Sequence, residues 1–159
     1  MPFPSRSLIR SSRAWLAMLV LTLAATAPAF ATLGGGVATI EADRAKLQGK
    51  VQVTTVAGVT VHEITTAAGT RVREYLTPDG AVFAFTWRGP FIPDMRQLLG
   101  TYYGQYAHGV QEAHPMGKRQ LYVQLPGLIV QSSGHMRAFA GRAWDPALLP
   151  QNFSLSNLN

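Results

Sequence analysis

The chain has 159 residues, a one-domain length, with 14 Lys and Arg against 8 Asp and Glu and no cysteine. The missing thiol excludes disulfide scaffolding, Cys–His catalysis, thiolate metal sites and an acylated lipid anchor. Three of the basic residues and none of the acidic ones fall in the first 31 positions, so residues 32–159 carry 11 against 8, and nucleic-acid binding loses its compositional basis.

Residues 1–31 read as a secretory signal peptide. Arg6, Arg10 and Arg13 form a positive n-region, and Ala14 to Ala25 is an apolar stretch too short to span a bilayer comfortably. Pro28 breaks it, and Ala29-Phe30-Ala31 supplies small residues at −3 and −1. Cleavage is expected after Ala31, with no stable membrane span afterwards and a destination in the periplasm or the medium. The arginines are not adjacent, so a twin-arginine route has no support.

Residues 32–159 then read as one domain. Thr32–Gly36 (TLGGG) is expected to be flexible. Val37, Ile40, Arg44 and Leu47 have helical spacing, and Gly49 ends that short helix. Glu41 and Asp43 lie toward its start, Arg44 and Lys46 toward its end, the order the helix dipole favours.

From Val51 to Arg88 the period becomes two. Four runs rich in Val, Thr and aromatics are divided by Ala57-Gly58, Ala68-Gly69 and Pro78-Asp79-Gly80, the pattern of an antiparallel meander. In the last run Phe83, Phe85 and Trp87 should share one face and Val82, Ala84 and Thr86 the other. Neither face is charged, so this strand should be central. In the run before it, Arg71, Arg73 and Tyr75 oppose Val72, Glu74 and Leu76, which leaves Glu74 in conflict with its apolar side.

Pro90 and Pro93 make a rigid corner after Arg88-Gly89. Asp94 is a good N-cap, and Gln97 completes a pattern like a capping box. Met95, Leu98, Leu99, Tyr102, Tyr103 and Tyr106 form one apolar stripe, so a helix is expected over Asp94–Tyr106. Gly100 inside it costs ~1 kcal/mol relative to Ala. A loop is expected over 107–119. Strands are expected at Leu121–Leu125, Leu128–Gln131 and His135–Trp144, with turns at Pro126-Gly127 and Ser132-Ser133-Gly134. Residues 145–159 should be extended or loosely packed. The fold class is α+β: an antiparallel sheet of about five to seven strands in a meander, one amphipathic helix on a face, and a short N-terminal helix.

Two blocks carry a family resemblance. One is Arg73-Glu74-Tyr75, Trp87-Arg88-Gly89-Pro90, Pro93-Asp94 and Leu98-Leu99-Gly100; the other is Gly134-His135-Met136-Arg137-Ala138-Phe139-Ala140-Gly141-Arg142-Ala143-Trp144. On these the chain resembles the secreted proteins of Burkholderia-type proteobacteria that share domain of unknown function 2844. The resemblance covers nearly all of residues 32–159. It implies a Gram-negative exported protein and assigns no role to any residue.

The densest polar material is Glu74, Arg88, Asp94, His135, Arg137 and Arg142. Arginines suit bidentate recognition of an anionic group, so Arg88, Arg137 and Arg142, with Trp87 and Trp144 beside them, are the binding candidates. An ion-pair network that fixes strand register is the competing and favoured reading of the same residues. Catalytic candidates are Glu74, Asp94 and His135, with Arg137 in support, for a small cell-envelope hydrolase. No G-x-S-x-G surrounds Ser132 or Ser133, so a serine triad has no elbow. No metal site is expected. His62 and Glu63 should point to opposite faces, His108 and His114 have no ligand spacing, and no H-E-x-x-H occurs. No cofactor is implied. Trp87, Tyr102, Tyr103 and Trp144 read as core rather than as a glycan groove. An outer-membrane barrel is rejected on its short, interrupted strands. Without a catalytic motif, the favoured function is a non-enzymatic binding or accessory module whose partner is an envelope protein or an extracellular ligand. A hydrolase, or an assembly subunit pairing through a sheet edge, are the alternatives.

Overall fold

A computed structural model describes residues 33–113 and 120–159. The signal-peptide reading of 1–31, Thr32, and positions 114–119 of the expected loop, with His114, lie outside the described residues. The chain runs α1 (Val37–Lys46), β1 (Lys50–Val56), β2 (Val59–Thr65), β3 (Arg71–Leu76), β4 (Val82–Gly89), α2 (Met95–Leu99), α3 (Tyr103–Glu112), β5 (Gln120–Leu125), β6 (Leu128–His135) and β7 (Ala138–Trp144). Gly100–Tyr102 and Leu155–Asn157 are single turns of 3-10 helix. The fold is α+β, as the two hydrophobic periods require.

The strands form one antiparallel sheet in the order β1-β2-β3-β4-β7-β6-β5. It is two meanders, β1–β4 and β5–β7, that meet where β4 pairs with β7 from Ala84↔Trp144 to Gly89↔Phe139. At the first hairpin Ala57 and Gly58 both take positive φ (49° and 82°), the mirror-image turn that matches strand twist.

Five local expectations need correction. The β6–β7 turn falls at Met136-Arg137, not at Ser132-Ser133-Gly134, because His135↔Ala138 closes a two-residue loop with Arg137 at φ 63°. A bulge interrupts β4: pairing passes from Tyr75↔Ala84 to Leu76↔Val82 and skips Phe83. The extra residue reverses the alternation, so Val82 joins Phe85 and Trp87 while Phe83 turns to the other side with Ala84. The closing helix is broken at Gly100 (φ 49°, ψ −116°), a conformation that suits glycine, and resumes as α3 through residues 107–112 of the expected loop. The glycine-rich start is held rather than free. Leu33 is buried, and the Gly34 and Val82 amides donate to the Val82 and Gly35 carbonyls at 2.7 and 2.8 Å. The C-terminal segment, finally, is packed rather than loose.

The sheet therefore has two covered areas. On the helix face Ile40, Ile64, Val72, Phe85, Trp87, Leu98, Leu99 and Val130 form the larger core. Burying each such side chain is worth roughly 1.5–3 kcal/mol as an upper estimate. Trp87 lies against Gly141, where a Cβ would come within 2.1 Å of the indole, so this strand crossing requires glycine. On the opposite face Val59, Val61, Tyr75, Phe83 and Trp144 are covered by Phe153 and Leu158. Phe153 meets Phe83 and Tyr75 edge-on at 5.1 and 5.9 Å between ring centres. No helix among the described residues is long and apolar enough to cross a membrane.

Candidate functional site

Beyond the reach of Phe153 and Leu158 the second face stays open, and there the strand alternation sets out polar side chains in two rows. One row follows the register Arg71↔Arg88↔Ala140↔Ser133↔Gln120. The next runs Glu63↔Arg73↔Thr86↔Arg142↔Gln131↔Tyr122. Ala140 is small, and the rows enclose a cavity of about 450 Å³ bordered by Thr86, Arg88, Gln131, Ser133, Arg142 and Asn159. A second hollow of about 150 Å³ lies between Arg71, Arg73, Thr86, Arg88 and Asn159.

Most of these arginines are engaged. Arg73 Nε lies 2.6 Å from Glu63 Oε2, and Arg71 Nε lies 3.4 Å from Glu63 Oε1. The Glu63 carboxylate holds Arg73 still more firmly protonated. Arg142 Nε donates to Gln131 Oε1 at 2.7 Å and Nη1 to the Leu155 carbonyl at 3.1 Å, while its guanidinium stands 5.6 Å over the Trp144 ring. Arg88 differs. Its side chain is exposed, borders both hollows, and makes no hydrogen bond or ion pair with any described residue. Its cross-strand neighbour is Arg71, a like-charge pair that costs stability. Among the described side chains this face thus carries the guanidinium groups of Arg71, Arg73, Arg88 and Arg142 against the carboxylate of Glu63.

The C-terminal segment fastens across the same surface. The Asn159 main-chain oxygen accepts from Arg73 Nη1 at 2.9 Å, Thr86 Oγ1 at 3.2 Å and the Tyr75 hydroxyl at 3.3 Å. Asp145 starts the segment. It is buried, accepts from the Tyr102 hydroxyl at 3.0 Å, and so links β7 to the helical side. Burial, then this bond, raise the Tyr102 pKa.

The helix face holds a different polar group. Glu74 is 2% exposed and Asp43, from α1, is 0% exposed. Gln97 Nε2 donates to Asp43 Oδ1, so the expected capping box is replaced: Asp94 caps α2 through the Arg96 and Gln97 amides at 2.9 and 3.3 Å, but the Gln97 side chain turns inward. Burial pushes the Asp43 pKa up to about 6, although hydrogen bonds from Glu74 and Gln97 and the charge of Lys46 oppose it. Burial first, and then Asp43 beside it, push Glu74 well above the carboxylate range. Glu74 accordingly keeps its proton and donates it to Asp43. Asp43 Oδ2 and Glu74 Oε2 are buried without a hydrogen-bond partner among the described residues, so two acids can stand side by side here only while one of them stays protonated.

The candidate residues consequently separate. Arg88, Arg142 and Trp87 border the larger cavity, although Trp87 packs its indole into the helix-side core. Trp144 is buried beneath Arg142, and Arg137 is exposed in the β6–β7 turn. No hydrogen bond or ion pair joins Glu74, Asp94 and His135 to one another. Glu74 is buried against Asp43, Asp94 caps α2, and His135 is exposed at the end of β6. His62 lies opposite Glu74 in the β2–β3 ladder, and burial lowers its pKa. Among the described residues, no three His, Cys, Asp or Glu side chains converge as a metal site. Gln131, Ser133, Asn159 and Asp43 were missed. Asp43 was legible, since Ile40, Asp43 and Leu47 share one helical face. Ser133 was hidden by the misplaced turn, and Gln131, read as a strand end, gained its place only from pairing with Arg142.

A family model matches residues 29–158. The chain belongs to the family described as protein of unknown function DUF2844. The match takes in every described residue except Asn159, and the family's description supplies no activity for either polar region. No curated protein and no solved structure matches the chain.

Proposed function

We propose that this DUF2844 protein is an exported, non-enzymatic binding module that takes an anionic ligand on the open face of its sheet. Arg88 carries the reading: a guanidinium set opposite a second arginine, without an anion to offset it, on the border of a cavity of about 450 Å³. Local rules of stability are broken mainly where a site needs them broken. None of the described side chains lining either hollow is Asp, Glu or His, so the hydrolase reading draws no support from this geometry. Export rests on the n-region, apolar stretch and small-residue site of residues 1–31.

Binding is tested by thermal shift and calorimetry against a panel of anions: citrate, inorganic phosphate, sulfate, polygalacturonate and an acidic peptide. At least one should raise the melting temperature of the natural protein and fail to do so for Arg88→Gln. A panel without any such anion overturns the reading. Export is checked by the intact mass of the protein from a periplasmic fraction, which should begin at Thr32; a full-length product confined to the cytoplasm contradicts it.

Assembly through a sheet edge is a second reading, favoured by one observation. β1 is a seven-residue edge strand, and Val53 in it is 58% exposed. Sedimentation across a concentration series decides: a dimer that Val53→Lys dissociates supports edge pairing, and a monomer throughout removes it.

A further inference from the structure

Resting on the anion-binding reading, we infer that the ligand is an acidic saccharide, a hydroxyl-rich ring bearing a carboxylate. The carboxylate sits on Arg88 and the ring lies over β7 and β6. Three features of the cavity lead there.

The first is its charge demand. Arg71 and Arg73 share Glu63, and Arg142 is committed to Gln131, the Leu155 carbonyl and the Trp144 ring. Only the Arg88 fork is unengaged among the described arginines of this face, and a planar fork matches one carboxylate through two parallel hydrogen bonds.

The second is the floor. The cavity is bordered by strands β4 to β7 and by Leu158 and Asn159, and the strand amides are consumed in the ladders. Among the described residues no helix N-terminus contributes to its lining, so these residues offer no fan of free backbone N–H groups of the kind that cradles a phosphate.

The third is the remaining lining. Ser133 and Gln120 present a hydroxyl and an amide, which both donate and accept, as sugar hydroxyls require, and the Gln131 amide nitrogen adds a donor; the Thr86 hydroxyl is already given to Asn159. Tyr122 adds a ring 41% exposed at the rim. The volume is at the small end for ligand pockets and holds about one or two sugar rings.

The test is an amide NMR titration of the purified protein with digalacturonic acid, with cellobiose as a neutral two-ring sugar and with inorganic phosphate. Digalacturonic acid should shift Thr86, Arg88, Gln131, Ser133 and Arg142 and saturate. Arg88→Gln should weaken it about tenfold or more, and Arg88→Lys less, since the charge stays but the fork is lost. Arg137→Gln, in an exposed turn outside the cavity, should leave the affinity unchanged. Cellobiose should not saturate at the same concentration. Unchanged melting of Arg88→Gln shows that the variant is folded. If phosphate binds as well as digalacturonic acid and depends on Arg88, the saccharide inference is overturned while the anion site stands. If digalacturonic acid binding ignores Arg88, or no groove amide responds to it, the inference is also overturned. The broader reading is then judged by the anion panel alone.

Discussion

The two faces of this sheet handle buried and half-buried charge in opposite ways. On the helix face two acids, Asp43 and Glu74, are removed from solvent; burial favours the protonated form of Glu74, and Gln97 donates an amide to Asp43. On the open face the arginines stay hydrated, three of them find oxygen partners, and the Arg88 side chain finds none among the described residues. The first arrangement is closed on itself and offers nothing to a ligand. The second is left incomplete at one point. Residues dense in charge thus divide into a fastening and a site, and the difference lies in whether partners are exhausted within the chain.

The strongest way to break the comparison is to empty the helix-side core. Phe85→Ala, at a side chain 1% exposed, should cost about 3–5 kcal/mol by chemical denaturation. A loss under about 1 kcal/mol would mean that this face is not the mechanical centre.

Next comes the acid pair. The Asp43 pKa is raised from 3.8 to about 6 in the fold, so the folded state binds the proton more tightly than the unfolded state does. Its contribution is most favourable below the unfolded value and is lost as pH rises through about 6. Asp43→Asn should therefore stabilise the protein at pH 7 by on the order of 2–3 kcal/mol and lessen the fall of stability between pH 4 and 6, the remainder belonging to Glu74. Denaturation midpoints across that window check it; an unchanged slope would contradict a titrating Asp43.

Smaller still is the tether between the faces. Asp145→Ala removes the acceptor for the Tyr102 hydroxyl and the Ala147 amide, and should cost about 1–3 kcal/mol in thermal unfolding. The smallest effect belongs to the site itself. Arg88→Gln relieves the Arg71 repulsion and should stabilise the fold by a few tenths of a kcal/mol, screened by salt. A clear destabilisation would mean that Arg88 is structural.

Much of this division was legible in the residues. Alternation placed Arg71, Arg73 and Tyr75 opposite Val72, Glu74 and Leu76, and turn chemistry at Ala57-Gly58 set the first hairpin. Asp94 was readable as a cap because its partners are local. The failures were decided at long range. Ser132-Ser133-Gly134 has turn composition, but pairing with β7 keeps it in a strand. The skipped residue in β4 leaves no local mark, so the side on which Phe83 sits was unreadable. The tail has loop composition, and only the aromatic surface of Tyr75 and Phe83 gives Phe153 a place. The same pairing of β4 with β7 brings Arg88 beside Ala140 and Arg142, so the site exists only once the two meanders have met.

The central claim is that the faces are independent: one holds the fold and the other binds. Stability and anion affinity measured together on Glu74→Gln and Arg88→Gln test it most directly. The account predicts that Glu74→Gln changes the stability–pH profile and keeps the affinity, while Arg88→Gln keeps the fold and loses the affinity. Loss of binding in Glu74→Gln at full stability, or full binding in Arg88→Gln, would contradict it.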